Sequence, residues 1–140
     1  MGTGESIPDT LRLSLCGPET IKAATRAALD FGAIHEIGET DTARLAIAVE
    51  ELITNLFEHG GLATDDVVEL ALSRTGDVIG LAITDQGSPF DPRTATQGDA
   101  IPERGGGAGL ALVRAWASES NYEVSGAGNR LSISLQIGPR

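Results

Sequence analysis

Three groups of residues have the types and spacing to do chemistry. The first lies in Leu45 to Gly61, LAIAVEELITNLFEHGG, where Glu51 and Asn55 stand four residues apart. At a helical period they stack on one border of a helix, with His59 one turn further on. A carboxylate and an amide one turn apart at the edge of a buried face can share a cavity. The same pattern also suits a core helix with polar shoulders. The second group is Asp85 and Gly87. Ile79, Leu81, Ile83 and Asp85 alternate along one strand face. An acid that continues an apolar row needs a partner, which a hydrogen-bonding ligand would supply. Gly87 lets backbone approach closely, and Pro89 and Phe90 can wall a pocket. Asp85 can equally start the turn after its strand. The third group is Gly105-Gly106-Gly107-Ala108-Gly109-Leu110. Glycines that lead into a helix N-terminus offer bare N–H groups to an anion, phosphate above all. A plain hinge would use the same residues. No Gly-Lys-Ser/Thr follows, so it is no P-loop, and its glycine spacing is not that of the dinucleotide fingerprint.

Positioning these groups takes a particular set of elements. Leu45, Val49, Leu52 and Leu56 form an apolar stripe, widened by Ala46, Ile53 and Phe57. That phase turns Glu51 inward and leaves Glu50, Thr54 and Glu58 on the wet side. Thr40 or Asp41 is the expected cap, and Gly60-Gly61 supplies the left-handed stop. Leu11, Leu13 and Leu15 alternate as a half-buried strand. A first helix is expected from Glu19 to about Phe31. Val67 to Ser73 and Val78 to Asp85 read as two strands joined at Thr75-Gly76-Asp77. Residues 86–107 form a long Gly- and Pro-rich segment of the kind used as a lid or a linker. A further helix is expected from about Ala108 to Glu119. Tyr122 to Ser125 and Leu131 to Ile137 close the chain as a hairpin that turns through residues 126–129. Strand and helix do not alternate throughout. The expected class is therefore α+β: a two-layer sandwich with a mixed, mostly antiparallel sheet and helices on one face.

The 140 residues fit one domain, 1–140, with residues 1–9 as a flexible lead. Hydrophobic residues make up 41% of the chain, enough for a real core. No apolar run reaches the ~20 residues of a membrane span. MGTGESIPDT lacks a basic region followed by an apolar one, so no secretory signal is expected. Cys16 is the single cysteine, which excludes an intramolecular disulfide or a cysteine zinc cluster and fits a reducing cytoplasm. The net charge of −10 opposes non-specific binding to nucleic acid.

Taken in order, the three groups resemble the GHKL, or Bergerat-fold, ATP-binding superfamily, and in particular its small anti-sigma-factor serine/threonine kinases. The stretches EELITNLFEHG, TDQGSPFDP and GGGAGLALVRAWAS carry the resemblance. It implies ATP and magnesium as cofactors. It implies that Asn55 holds the metal and that Glu51 is the general base for the attacking hydroxyl. Asp85 would accept from the adenine amino group, with Gly87 as its companion. Gly107 and Gly109 would lie against the phosphates, within the segment from Gly105 and Gly106 through Ala108 to Leu110. Arg104 would reach a terminal phosphate, and Phe90 would wall the pocket. The partners implied are a sigma factor and a STAS-type anti-anti-sigma protein in the bacterial cytoplasm, with no direct nucleic-acid or membrane contact. Apolar surface on the first helix can also make a homodimer. Two other readings stand beside this one. The first is an ATP-dependent interaction switch without phosphotransfer. The second is a sensor histidine kinase catalytic domain, which needs a helical dimerisation region; no heptad run or spare region in these 140 residues leads one to expect it.

Overall fold

A computed structural model describes residues 10–89 and 106–138. The expected lead over residues 1–9 lies outside the described residues, as do Phe90, Arg104 and Gly105. The elements are β1 (Thr10–Leu15), α1 (Thr20–Ile34), α2 (Glu39–His59), β2 (Val68–Thr75), β3 (Val78–Asp85), α3 (Gly106–Trp116), β4 (Ala117–Ser125) and β5 (Gly128–Gln136). The five strands form one sheet in the order β1-β2-β3-β5-β4. Every pairing is antiparallel, so the expected mixture of directions is replaced by a wholly antiparallel sheet among the described strands.

The sheet has one apolar face and one polar face because its strands alternate. Leu13, Leu70, Ile83, Leu131 and Tyr122 lie in register across all five strands and belong to the core or pack against it. Glu69, Ser73, Arg130 and Ser132 fall on the other face and are exposed or half-buried. Helix α2 covers the apolar face with Leu45, Ala46, Val49, Leu52, Ile53 and Leu56, all buried. It packs against both α1 and α3. No helix among the described residues is long and apolar enough to cross a membrane.

Several boundaries differ from expectation, each for a physical reason. Helix α1 continues to Ile34, and α2 begins at Glu39 with Gly38 in the cap position and no side-chain cap bond. Thr40 and Asp41 are therefore not caps; both lie within the first turn. Asp41 is buried there, where an acid complements the positive end of the helix. The C-terminal stop is as expected: Gly60 closes the helix, and Gly61 has φ +75°. Helix α3 includes Gly106 and Gly107 and ends at Trp116, not near Glu119. Ala117 already belongs to β4, so helix and strand meet with no loop between them. Pairing with β5 overrides the helical preference of residues 117–119, at the cost of a register irregularity between Ala117 and Glu119. Strand β5 likewise begins early, which puts Asn129 in the sheet and not in the turn.

Candidate functional site

The helical phase of α2 sorts its two adjacent glutamates. Glu50 is exposed, Glu51 is half-buried and Asn55 is buried. His59, at the helix end, is exposed. Asn55 Nδ2 donates to the Glu51 carbonyl oxygen at 2.8 Å. That bond uses one of the two amide N–H donors and fixes the orientation of the amide, which presents Oδ1 as its acceptor. Glu51 Oε1 is shielded from solvent. What shields it includes α3: a Cβ added to Gly109 would collide with Glu51 Cδ and Oε1 and stand 2.7 Å from Cγ. Glycine at 109 is thus what allows the glutamate to lie against the first turns of α3. Leu110, the next residue, is buried in the core.

Asp85 ends β3 and is 4% exposed. Its Oδ1 accepts from the Gly87 N–H at 2.8 Å, so Asp85 does start the turn after its strand. The same oxygen accepts from Asn129 Nδ2 at 3.1 Å. Asn129 also donates to the Gly87 carbonyl at 2.8 Å. A Cβ on Gly87 would stand 2.5 Å from the Gly60 carbonyl oxygen, and that same oxygen accepts from the Ser88 N–H at 2.9 Å. The stop of α2 and the end of β3 are therefore joined backbone to backbone.

Asn55 and Asp85 line one small cavity with Leu52, Leu56, Ile83, Tyr122 and Leu131. Its free volume is about 10 Å³, room for at most one water. The structure thus brings Glu51, Asn55, Asp85, Gly87 and Gly109 to one end of the α2–sheet interface. Gly106, Gly107 and Ala108 form the first turn of α3 beside them. Sequence reasoning placed Asn129 in the closing turn and gave it no part in the site. The one signal that would have found it is its place at the head of the alternating row Leu131, Ile133, Leu135.

The profile of the histidine kinase-like ATPase domain matches residues 17–135. The chain belongs to that family. Solved structures of similar fold include the RsbU and RsbW domains of Rv1364c from Mycobacterium tuberculosis, with a TM-score of 0.67, 19% identity and coverage of 94% of this chain and 33% of that one. The blue-light activated histidine kinase EL346 of Erythrobacter litoralis gives a TM-score of 0.55 at 16% identity, over 88% of this chain and 42% of that one. The catalytic domain of histidine kinase ThkA gives 0.52 at 10% identity, over 93% and 99% of the two chains. This chain thus spans a third of the first of these and less than half of the second. A search of curated proteins finds no match.

Membership in an ATPase-domain family can be tested against the residues present. Gly87 and Gly109 let the Gly60 carbonyl and the Glu51 side chain pack directly on backbone, which holds the acid, the amide and the β3 turn close together. Asp85 supplies a buried acceptor. Asn55 Oδ1 is a hard oxygen of the kind magnesium prefers. Among the described residues no group of three or more His, Cys, Asp or Glu could hold a metal. A magnesium ion held through Asn55 would therefore complete its shell with phosphate oxygens and water, its usual habit in nucleotide sites. The cavity between Asn55 and Asp85 must widen to admit a purine.

Proposed function

We propose that this chain is an ATP-binding anti-sigma regulatory factor with serine/threonine kinase activity. It would hold a sigma factor and transfer the γ-phosphoryl group of ATP to a STAS-type anti-anti-sigma protein. The observation that carries this reading is the seating of Glu51 on Gly109, one turn from Asn55, which sets a carboxylate beside both the Asn55 amide and the glycine turn that opens α3. The resemblance of the three motifs to anti-sigma kinases supports the choice of partner.

In this proposal Asp85 accepts a hydrogen bond from the adenine amino group, and Gly87, packed on the Gly60 carbonyl, holds the turn that orients that carboxylate. The amides of Gly106, Gly107 and Gly109, at the positive end of α3, stabilise phosphate charge. Asn55 would hold magnesium, which supplies charge stabilisation at the phosphates. Glu51 accepts the proton of the attacking serine or threonine hydroxyl as its oxygen bonds to phosphorus and the bond to the β-phosphate oxygen breaks. Such transfers are governed by positioning and charge, so few groups suffice.

The test is incubation with γ-labelled ATP, magnesium and candidate small STAS-type proteins, followed by analysis for phosphoserine and phosphothreonine. Label on a partner hydroxyl is the expected result. ATP-dependent release of a bound partner without label would replace the kinase by an interaction switch. No binding at millimolar ATP would refute the whole reading.

A further inference from the structure

Each inward-facing pair across β3 and β5 is apolar until the last. Ile79 faces Leu135, Leu81 faces Ile133, Ile83 faces Leu131, and then Asp85 faces Asn129. Both members of this final pair are buried, at 4% and 3% exposure. A polar pair so placed must be satisfied internally, and the Asn129 amide does this in two directions. Its Nδ2 gives a hydrogen bond to Asp85 Oδ1 and another to the Gly87 carbonyl. The Gly87 N–H already binds that same Oδ1. The turn is thereby held at both ends: its N–H by Asp85, its C=O by Asn129.

The strand that carries Asn129 is itself fixed against the turn. Gly128 has φ +120°, and a Cβ there would stand 2.6 Å from the Asp85 carbonyl oxygen and 2.5 Å from Gln86 Nε2. Gln86 Nε2 in turn donates to the Ala127 carbonyl at 2.6 Å. The β4–β5 turn and the Asp85–Gly87 turn thus form one joined unit. Among the described residues both donors to the Asp85 carboxylate fall on Oδ1, so the acceptor capacity of Oδ2 is what a ligand would use.

We propose that Asn129 is a positioning residue that sets the selectivity of the site for purines bearing a six-amino group. This rests on the ATP-binding reading above. Asn129 acts through Asp85: it fixes the torsion of the carboxylate and so the direction in which Oδ2 accepts. Without it the carboxylate keeps only the Gly87 N–H bond, the Gly87 carbonyl loses its donor, and the looser turn gives up most of the advantage of an amino group on the ring. A ligand that makes no bond to Asp85 does not register the change.

The experiment compares ATP with purine riboside triphosphate, which lacks the six-amino group, by calorimetry on the full chain. The wild type is expected to prefer ATP. Asn129→Ala is expected to weaken ATP about 10- to 100-fold, the range for lost hydrogen bonds to a charged group, and to change the analogue less than ~3-fold. The preference should fall towards unity. Asn129→Ser keeps one donor and should restore part of it. A thermal melt of each variant checks folding, and Asn129→Ser carries the test if the alanine variant does not fold. Equal weakening of both nucleotides would reduce Asn129 to a structural residue and overturn the proposal. So would an unchanged preference in a folded variant. A wild type that binds neither nucleotide would refute the ATP-binding reading itself, a result distinct from either.

Discussion

Gly109→Ala separates the seat of Glu51 from the stability of the fold. The added methyl group would occupy the space of the Glu51 carboxyl carbon and Oε1. Nothing else stands among its nearest neighbours, since all three are atoms of Glu51. Gly109 lies within α3 and has no positive φ, so alanine suits its backbone. The helix gains about 0.5–1 kcal/mol from replacing glycine. Glu51 is half-buried and its side chain can rotate outwards, so the clash ends in displacement and not in a strained core. The net change in stability should stay within about 1 kcal/mol, or a few degrees in Tm for a chain of this size. Activity should respond far more strongly. A general base moved out of reach costs about 10²–10⁴ in rate, or roughly 3–5 kcal/mol at 1.36 kcal/mol per decade. The assay is single-turnover transfer from labelled ATP, run beside thermal unfolding, for Gly109→Ala, Glu51→Gln and the double variant. If the base acts through its seat, the double variant is no slower than Glu51→Gln alone. Multiplied losses in the double variant would refute the coupling. Wild-type transfer by Gly109→Ala would refute the seat.

Other substitutions test the remaining positions. Asp85→Asn replaces an acceptor by a donor and should raise the ATP dissociation constant about 10- to 100-fold, a cost of ~1–3 kcal/mol measurable by calorimetry. Asn55→Ala removes the amide oxygen and the bond to the Glu51 carbonyl, so magnesium-dependent ATP binding and transfer should be lost together, whereas Glu51→Gln should keep binding and lose transfer. Glu50→Gln alters an exposed side chain and should leave both unchanged; a reversal between the two glutamates would overturn the phase assigned to α2. Gly87→Ala sets a methyl group against the Gly60 carbonyl, which is backbone and cannot swing aside, so denaturant unfolding should show a loss of about 1–3 kcal/mol.

The parts of the site that were legible in the sequence are those set by local periodicity. A 3.6-residue period places Glu51 and Asn55 inward and Glu50 outward, and the structure agrees. A period of two places Asp85 on the core face of β3, where it is buried. Gly61 takes the left-handed conformation expected of it. What could not be read depends on partners far along the chain. Asn129 sits in a glycine-rich stretch that looks like a turn, and its role comes from a strand 44 residues earlier in sequence. The end of α3 was misplaced because Ala117 to Glu119 keep good helical composition, and only the free edge of β5 draws them into the sheet. The cap of α2 was misplaced because a buried acid in the first turn and an acid at the cap look alike in sequence.

The junction of α3 and β4 has a mechanical consequence. Trp116 ends the helix and Ala117 begins the edge strand, with a single peptide bond between them. A loop would absorb a shift of one element relative to the other; here no slack exists. Any axial movement of α3 that carries Gly109 past Glu51 must be taken up at the irregular step between Ala117 and Glu119, where the ladder to β5 is already out of phase. The half-buried Trp116 lies beneath the Arg44 guanidinium, 5.4 Å from its ring centre, so one end of that lever is anchored on α2. The helix that opens with the glycine turn is therefore coupled without slack to the edge strand β4, so displacement at the start of α3 is expected to reach that edge of the sheet.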